Sequence, residues 1–383
     1  MDASVNINLT RRTGAVALVG VLALALTACG SDNPVPASAG AANQSAGAQS
    51  PSGDAAASLT GELAGAGASS QESAQEAWRA GFQSLNPDVT VTYDPVGSGG
   101  GRTQFLEGGV QFAGSDAALK DDELAKASQR CFGGAAIDLP LYISPIAVIY
   151  NLPDVPELQL APATIAGIFD RKITSWDDAA IAADNPGVEL PKTPITPVNR
   201  SDESGTTENF TEYLAATAGD AWPHEASGDW PVKGGQSAQG TSGVVQTVQG
   251  GVGTIGYADA SKAGTLGTAK IKVGEEYVAY SAEAAAAVVD ASPRAEGRGE
   301  HDIVVELDRA TTAPGAYPLV LISYAVACDT YTDAAQGELV TQYLSYLASV
   351  EGQDAAAKAA GSAPISDELR TDVVAAIDAI KVG

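Results

Sequence analysis

A run of polar residues, RSDESGTT at positions 200–207, combines an arginine with hydroxyl groups at the predicted start of a helix. The run follows an extended segment at 195–198 and precedes apolar residues that recur at helical spacing. The first amides of a helix have no partners within the helix and carry a partial positive charge, which favours a bound anion. Arg200 adds a planar fork suited to the oxygens of a small oxyanion. An ordinary alternative stays open, in which Ser204 or Thr206 is a helix cap and Arg200 is a surface ion-pair partner.

Three further loops have related chemistry, because each places small or hydroxyl-bearing residues near the end of a predicted strand. They are GAGASS at 65–70, GSGGG at 97–101 and GSD at 114–116. Glycines let backbone amides approach a ligand closely. Ser69 and Glu72 have the spacing of a capping box, so helix capping competes with ligand binding for Ser69. Ligands of open α/β sheets bind at strand ends, and the four loops together therefore predict an oxyanion site.

The segments that must position these loops alternate between strand and helix patterns from Leu59 onward, which predicts a mixed α/β sheet flanked by helices. One helical face is predicted from Ala74 to Leu85. Other helices are predicted at 165–169, 174–183, 336–349 and 367–380, and strands at 89–93, 141–150 and 319–327. Neither an internal repeat nor a long interior linker divides this part of the sequence, which favours two interleaved lobes over two consecutive domains.

The first 28 residues have the order of features found in an export signal. Arg11 and Arg12 precede an apolar run at 15–28 that is too short to span a bilayer comfortably. The sequence LTAC then resembles a bacterial lipobox, which predicts that Cys29 is lipidated and becomes the first mature residue. An ordinary secretory signal with an incidental cysteine is the alternative.

Residues 29–58 consist almost wholly of Ala, Gly, Ser, Pro, Asn and Gln, which predicts a flexible tether. A flexible chain of this length reaches roughly 30 Å. We therefore expect an exported protein that is anchored to the outer face of the cytoplasmic membrane, at the cell surface or in the periplasm.

The charge of the chain limits its partners. Its formal net charge is −26, and removal of residues 1–28 leaves −27. This charge argues against nucleic acid as a partner, since its binding depends on neutralisation of phosphates by Lys and Arg. The bulk field also repels small anions, so an anion would have to be bound by local dipoles and one well-placed arginine.

The loops occur in the same order as in the phosphate-binding proteins of ABC phosphate-uptake systems, which this chain resembles from about residue 59 to 380. The other similar segments are IAGIFDRKITSWDD at 165–178, NPG at 185–187, WP at 230–231 and IGY at 255–257. The resemblance implies a two-lobe periplasmic-binding-protein clamshell of type II with two hinge crossovers. Lobe 1 would comprise residues 59–143 and 259–383, and lobe 2 residues 144–258. The chain would cross near 143–146 and return between Tyr257 and Tyr317.

The resemblance also implies roles for individual residues. Asp116 would accept a hydrogen bond from a proton of phosphate, and Asp202 would orient Arg200. Phosphate near neutral pH carries at least one proton and sulfate carries none, so a buried carboxylate at 116 would select phosphate. Sites built around a required hydrogen bond reject analogues by about 10⁴–10⁵-fold. The predicted phosphate-binding residues are Ser69, Ser70, Ser98, Asp116, Arg200, Ser204, Gly205 and Thr206.

Two positions depart from the common pattern of the family. Ser70 and Gln71 stand where an aromatic residue and a proline are usual, so the resemblance carries over the amide of Ser70 but not its hydroxyl. Glu203 stands where glycine is frequent. A positive φ would strain Glu203, and its charge would oppose an anion, so we expect its side chain to point outward.

The remaining motifs argue against catalysis. His224 and His301 lie near no nucleophile motif, and both the P-loop and the zinc spacings are absent from the sequence. We expect no enzyme activity, cofactor or metal, and we expect a monomer that delivers phosphate to permease subunits. A receptor or sensor for another oxyanion, or a secreted phosphate-ester hydrolase, is the alternative. Cys131 and Cys328 predict a disulfide outside the cytoplasm, with buried free thiols as the alternative.

Overall fold

Strands and helices alternate along residues 59–383, the part of the chain that the computed structural model describes. The strands are β1 (Gly61–Gly67), β2 (Val89–Asp94), β3 (Phe112–Ser115), β4 (Ala136–Tyr150), β5 (Leu158–Leu160), β6 (Thr196–Arg200), β7 (Gln236–Ala238), β8 (Thr254–Asp259), β9 (Gly267–Val273), β10 (Glu276–Val278), β11 (Val320–Cys328), β12 (Thr330–Tyr331) and β13 (Lys381–Val382). The helices are α1 (Glu72–Leu85), α2 (Ser98–Leu106), α3 (Asp121–Arg130), α4 (Pro162–Phe169), α5 (Ala179–Asp184), α6 (Gly205–Thr217), α7 (Gly240–Gln249), α8 (Ala282–Ala291), α9 (Ala334–Ala348), α10 (Val350–Ala360) and α11 (Asp367–Asp378). The predicted signal peptide, the predicted lipidation site Cys29 and the predicted tether lie outside the described residues.

The long strand β4 joins two parts of one mixed sheet. All 15 of its residues are buried, as expected for a nearly continuous apolar run that is covered on both faces. Residues 136–145 pair antiparallel with β11, and residues 146–150 pair antiparallel with β8. We call β1–β3, β11 and residues 136–145 the first half of the sheet. Residues 146–150 with β6, β7 and β8 form the second half.

The strand order brings the ends of parallel strands together within each half. The first half has the order β2-β1-β3-β11-β4, in which β1 runs parallel to both β2 and β3. The second half has the order β4-β8-β6-β7, in which β6 runs parallel to both β8 and β7. Strand β9 pairs with residues 149–150 of β4 and with β5 and β10, next to the second half. The mixed α/β class predicted from the sequence is confirmed.

The core packs helices against both halves. Helix α1 buries Ala74, Trp78 and Phe82, which recur at helical spacing, and Trp78 Nε1 donates a hydrogen bond of 2.7 Å to the carbonyl of Gly352 in α10. In the second half, Phe210 of α6 stacks on Tyr257 of β8 with ring centroids 4.2 Å apart. None of the helices between residues 59 and 383 combines the length and the apolar character that a membrane crossing requires.

A disulfide joins Cys131, which ends α3, to Cys328, which ends β11. This pairing confirms the predicted disulfide, and the alternative of free thiols is wrong. Both cysteines are fully buried in the core of the first half.

Three sequence predictions about the elements were wrong in detail. Residues 174–178 are not helical, because the Asp178 side chain caps α5 by accepting a hydrogen bond from the Ala180 amide, which starts the helix at Ala179. The glycine-rich segment at 97–101 is not a loop but the beginning of α2. Strand β4 begins at Ala136 rather than at 141, since the buried Asp138 that interrupts the apolar pattern is compensated by Arg298 at 2.5 Å.

Candidate functional site

The four loops predicted from the sequence meet between the two halves of the sheet. Ser69 and Ser70 follow β1, Ser98 begins α2, and Asp116 follows β3, all on the first half. On the second half, Arg200 ends β6 and residues 204–206 begin α6. Each position follows the carboxyl end of a parallel strand, the edge where open α/β sheets bind ligands. The eight predicted binding residues are all buried.

The Asp116 carboxylate lies at the centre of this cluster and is 3% exposed. Its Oδ1 accepts hydrogen bonds of 2.6 Å from Ser70 Oγ and of 2.6 Å from Ser323 Oγ, both on the first half. Its Oδ2 accepts a hydrogen bond of 2.7 Å from Thr206 Oγ1 on the second half. A carboxylate has about four acceptor positions, so these three donors leave room for one more. Asp116 is therefore neither a surface carboxylate nor fully satisfied by the protein.

The backbone of Asp116 is also held from both sides. Its amide donates to Ser98 Oγ at 3.2 Å, and its carbonyl accepts from Asn209 Nδ2 of α6 at 2.7 Å. Hydroxyl and amide groups from both halves thus fix this residue in place.

Arg200 is the cation of the cluster and is 3% exposed. Its Nε donates to Asp202 Oδ1 at 2.9 Å, and its Nη2 donates to Asp202 Oδ2, so the guanidinium forms a fork with one carboxylate. The Gly240 amide donates to the same Oδ1 at 3.1 Å, which ties Asp202 to the start of α7. These contacts hold the Arg200 guanidinium in one orientation, and the role of this pair in anion binding stays a prediction. The alternative in which Arg200 is a surface ion-pair partner is wrong.

Tyr257 supports the strand that carries Arg200. Its hydroxyl accepts from the Arg200 amide at 3.3 Å and lies 2.7 Å from Thr207 Oγ1. Burial raises the pKa of Tyr257 to about 12, so the phenol stays protonated near neutral pH. Sequence similarity marked this tyrosine, but its contact with the site was not predicted.

The start of α6 combines a cap with an open helix end. Ser204 is the N-cap and accepts from the Thr207 amide at 3.2 Å, so the capping alternative holds for Ser204. Thr206 is not a cap, because its hydroxyl donates to Asp116. The first helix residue must be glycine: a Cβ on Gly205 would lie 2.7 Å from both Asp116 Cβ and Ser98 Oγ. The helix end therefore lies directly against the loops of the first half.

Ser69 binds across the halves rather than capping α1. Its Oγ lies 3.0 Å from Thr241 Oγ1 and accepts from the Thr241 amide at 3.0 Å. Glu72, its predicted capping partner, pairs instead with Lys262 at 2.8 Å, so the capping-box alternative is wrong. Thr241 was missed in the sequence, although Gly240 and Thr241 repeat the glycine and hydroxyl pattern of another helix start.

Ser323 and Gln71 are the other members that sequence reasoning missed. Gln71 Nε2 donates to Ser323 Oγ at 2.7 Å, which leaves the serine hydroxyl free to donate to Asp116. The available signal was Ser323 itself, a polar residue inside the apolar strand β11, since buried hydroxyls require partners. The Ser70 hydroxyl, which the family pattern does not carry over, takes part through its bond to Asp116.

Glu203 does not point outward as expected. Its side chain is 27% exposed, and its Oε1 lies 2.9 Å from Arg102 Nη2 of α2. Its backbone φ is not positive: among the described residues other than glycine, positive φ values occur at Phe132 and Arg171. The expected strain is therefore absent at Glu203, and its charge is compensated by Arg102.

The arrangement suits a small tetrahedral anion. Arg200 supplies positive charge, the start of α6 supplies amides, and hydroxyl groups from both halves surround the cluster. An acceptor at Asp116 fits an anion that carries a proton. His224, a residue type that a hydrolase could use, forms a hydrogen bond of 2.7 Å with Asp170.

The fold is that of a two-part α/β protein, and the candidate oxyanion-binding residues lie between its two halves. The model of the PBP superfamily domain matches residues 47–351. The chain is 35% identical over 378 residues to phosphate-binding protein PstS2 of Mycobacterium bovis BCG, an alignment that covers 97% of this chain and 99% of that protein. It is 33% identical to phosphate-binding protein PstS 3 of Mycobacterium leprae, with 95% and 98% covered. The chain belongs to the PstS phosphate-binding protein family of the PBP superfamily.

Solved structures agree with the fold. A high-affinity periplasmic phosphate-binding protein, PfluDING, matches with a TM-score of 0.69 at 23% identity, covering 84% of this chain and 96% of that one. An ancestral soluble variant of the human phosphate binding protein matches with a TM-score of 0.68 at 20% identity, covering 82% and 93%. These likenesses confirm the two-lobe architecture expected from the sequence.

Proposed function

We propose that this protein binds inorganic phosphate outside the cytoplasm and delivers it to an ABC transporter for import. The observation that carries the proposal is the buried Asp116 carboxylate, which accepts hydrogen bonds from both halves of the sheet and keeps one acceptor position free. Arg200 lies in the same cluster and would neutralise the anion. The names of the PstS relatives support the same ligand.

The proposed roles follow from the positions of the groups. Arg200, held by Asp202, binds phosphate oxygens, and the amides of Gly205 and Thr206 add the helix dipole. Asp116 accepts a hydrogen bond from the O–H group of the bound anion. The hydroxyls of Ser69, Ser98 and Ser204 donate to its oxygens. Ser70 contributes its backbone amide, because the hydroxyls of Ser70 and Thr206 already donate to Asp116.

The proposed movement is closure of two lobes around the anion. The chain would first cross between the lobes at residues 143–146, where β4 passes from one half of the sheet to the other. The pairing of β9 with β4 and β5 supports a return of the chain after Val278 rather than at residue 259. Residues 259–278 would then move with lobe 2.

The proposed setting is the outer face of the cytoplasmic membrane. Lipidation of Cys29 would anchor the protein, and the tether of residues 29–58 would let a monomer reach permease subunits of the transporter. The protein would act as a receptor and not as an enzyme, without nucleic acid, metal or cofactor.

Phosphate uptake by cells tests the delivery step. Cells that lack the gene are expected to take up labelled phosphate from dilute medium poorly, and the wild-type gene restores uptake. Arg200→Ala, which removes the cation, and Cys29→Ala, which removes the anchor, are expected to fail. Unchanged uptake with Arg200→Ala would contradict the proposed site. Hydrolysis of phosphate esters by the purified protein would favour the enzyme alternative instead.

A further inference from the structure

The carboxylate of Glu203 crosses from the second half of the molecule to the first. Its Oε1 lies 2.9 Å from Arg102 Nη2, although 101 residues separate the two in sequence. Glu203 lies between Asp202 and Ser204, in the loop that joins β6 to α6. Arg102 lies one turn after Ser98 in α2. We propose that Glu203 is a clasp that holds the two halves closed and slows the release of phosphate. The inference rests on the proposed function and adds a positioning residue to it.

The guanidinium of Arg102 is held in position to bind this carboxylate. Its side chain is 2% exposed, and its guanidinium donates to Glu123 at 3.0 Å and to Ser115 Oγ at 3.0 Å. Burial acts to lower the pKa of Arg102, but the Glu203 and Glu123 carboxylates outweigh it and raise the pKa. Glu123 and Ser115 belong to the first half and hold the guanidinium in place. The fork is thus oriented towards Glu203 by groups that do not move when the halves separate.

The first turn of α2 leaves room for the incoming carboxylate. A Cβ on Gly99 would overlap the Glu203 carboxylate, so glycine is required here for the close approach. The adjacent Ser98 hydroxyl bonds the Asp116 amide at 3.2 Å. The Thr206 hydroxyl of the second half donates in turn to Asp116, so separation of the halves would break both this bond and the clasp.

Lys120 adds a weaker contact from the same side. Its Nζ lies 3.9 Å from Glu203 Oε1 and 3.7 Å from Glu208 Oε1, and its side chain is about half exposed. Because of that exposure, the direct contact with the buried Arg102 is expected to dominate.

Loss of one partner of a charge pair that closes an interface acts mainly on dissociation. The Glu203 carboxylate also repels a bound anion, so a purely electrostatic role predicts the opposite result from a clasp. Glu203→Gln is expected to accelerate phosphate release about three- to tenfold and to leave association nearly unchanged. A clasp therefore predicts weaker binding on removal of the charge, whereas repulsion predicts tighter binding.

Stopped-flow release of phosphate from residues 56–383, the compact unit that contains every described element, measures this effect. Glu225→Gln is the matched control, because it removes one exposed negative charge from the same half without touching Arg102. Faster release with Glu203→Gln but not with Glu225→Gln supports the clasp. Equal release rates in Glu203→Gln and wild type, or slower release in the variant, would overturn it.

Gly99→Ala provides a second test that keeps both charges. The added methyl group displaces the Glu203 carboxylate and is expected to accelerate release in the wild type. In a Glu203→Gly background the methyl group meets empty space, so it should change the release rate little. If Gly99→Ala accelerates release equally in the two backgrounds, the methyl group does not act through Glu203, and the clasp is contradicted.

Spin labels test the clasp without any ligand. Glu107→Cys and Glu189→Cys place labels at exposed positions on the first and second halves. Glu203→Gln should reduce the fraction of short label distances, while the melting temperature of the unliganded protein stays unchanged. Identical distance distributions would contradict the clasp. If the wild type binds no phosphate, the proposed function fails, and these distances still decide the fate of the clasp.

Discussion

The Asp116 carboxylate is held by hydroxyls from three separate segments of the chain. Ser70 follows β1, Ser323 lies within β11, and Thr206 begins α6. Because each of these hydroxyls donates its single hydrogen to Asp116, none of them can also donate to an oxygen of a bound anion, and the remaining acceptor position of Asp116 suits a ligand that carries a proton. In the proposed site, Asp116 is the group that distinguishes an anion with a proton from one without, while Arg200 attracts any oxyanion.

Asp116→Asn is expected to erode the preference for phosphate over sulfate. The amide keeps one acceptor but adds two donor hydrogens, which can serve an oxygen of sulfate as well as one of phosphate. We expect the ratio of the two dissociation constants to fall by a factor of roughly ten or more. Titration of both anions into the variant, with the exposed Asp88→Asn as control, measures the ratio. An unchanged ratio would remove Asp116 from the site.

At the scale of single residues, the sequence predicted most of the residues that the structure brings together in this cluster. Arg200, Asp116 and the serines were identified because each belongs to a contiguous motif at a strand end. Ser323 and Thr241 were missed because no motif surrounds them, and only tertiary packing brings them near. Glu203 was misjudged for the same reason, since its partner Arg102 lies in another half of the fold.

Helices α2, α6 and α7 begin at the junction between the halves, and their first turns form much of the site. The sequence predicted α6, because Ser204 is a cap and the apolar residues after it follow helical spacing. The sequence did not reveal that the glycines at 97–101 begin a helix, since glycine is a poor helix former and usually marks a turn. Close packing of α2 against β1 and β3 of its own half overrides that local preference.

Gly205→Ala is expected to prevent phosphate binding without unfolding the protein. The new Cβ would lie 2.9 Å from the Ala117 backbone nitrogen as well as against Asp116 and Ser98, so the start of α6 could no longer reach the first half. The stabilisation of the protein by added phosphate, measured as a shift in melting temperature, should disappear.

Gly250→Ala is the control for this change. Gly250 ends α7 in an ordinary helical conformation, and a Cβ there meets neighbours at 3.4 Å or more. That variant should keep the full phosphate-induced shift. A normal shift in Gly205→Ala would show that the close approach of α6 is not required for binding.

The whole molecule is organised by β4, which contributes to both halves of the sheet. Its apolar run predicted a buried strand, but the point at which it changes partners, between Pro145 and Ile146, has no local signal. The sequence also has no local signal for the point at which the chain returns to the first half, because the position of β9 is decided by its pairing with β4 and β5. Fold class was therefore predictable, whereas the lobe bounds depend on tertiary contacts.

Asp259 lies at this junction, where it pairs in register with Ile146 and accepts a hydrogen bond from the Tyr142 hydroxyl at 3.2 Å. Burial raises its pKa to about 6, above the ordinary value of 3.8. The folded state then binds the proton more tightly than the unfolded state. Its contribution to stability is fully present below pH 3.8 and is lost as the pH rises through about 6.

Asp259→Asn is therefore expected to change the pH dependence of stability. Near pH 4 the variant and the wild type should unfold at similar denaturant concentrations. Near pH 7 the variant should be more stable by about 3 kcal/mol, since it buries no charge at this position. Denaturant unfolding at several pH values measures the difference. A difference that stays constant between pH 4 and pH 7 would refute the assignment to Asp259.

Calorimetric titration of residues 56–383 with phosphate and with sulfate at pH 7 tests the central claim most directly. We predict that one phosphate binds per protein and that sulfate binds at least about 100-fold more weakly, because sulfate offers no proton to Asp116. Absence of phosphate binding, or equal affinity for the two anions, would contradict the account.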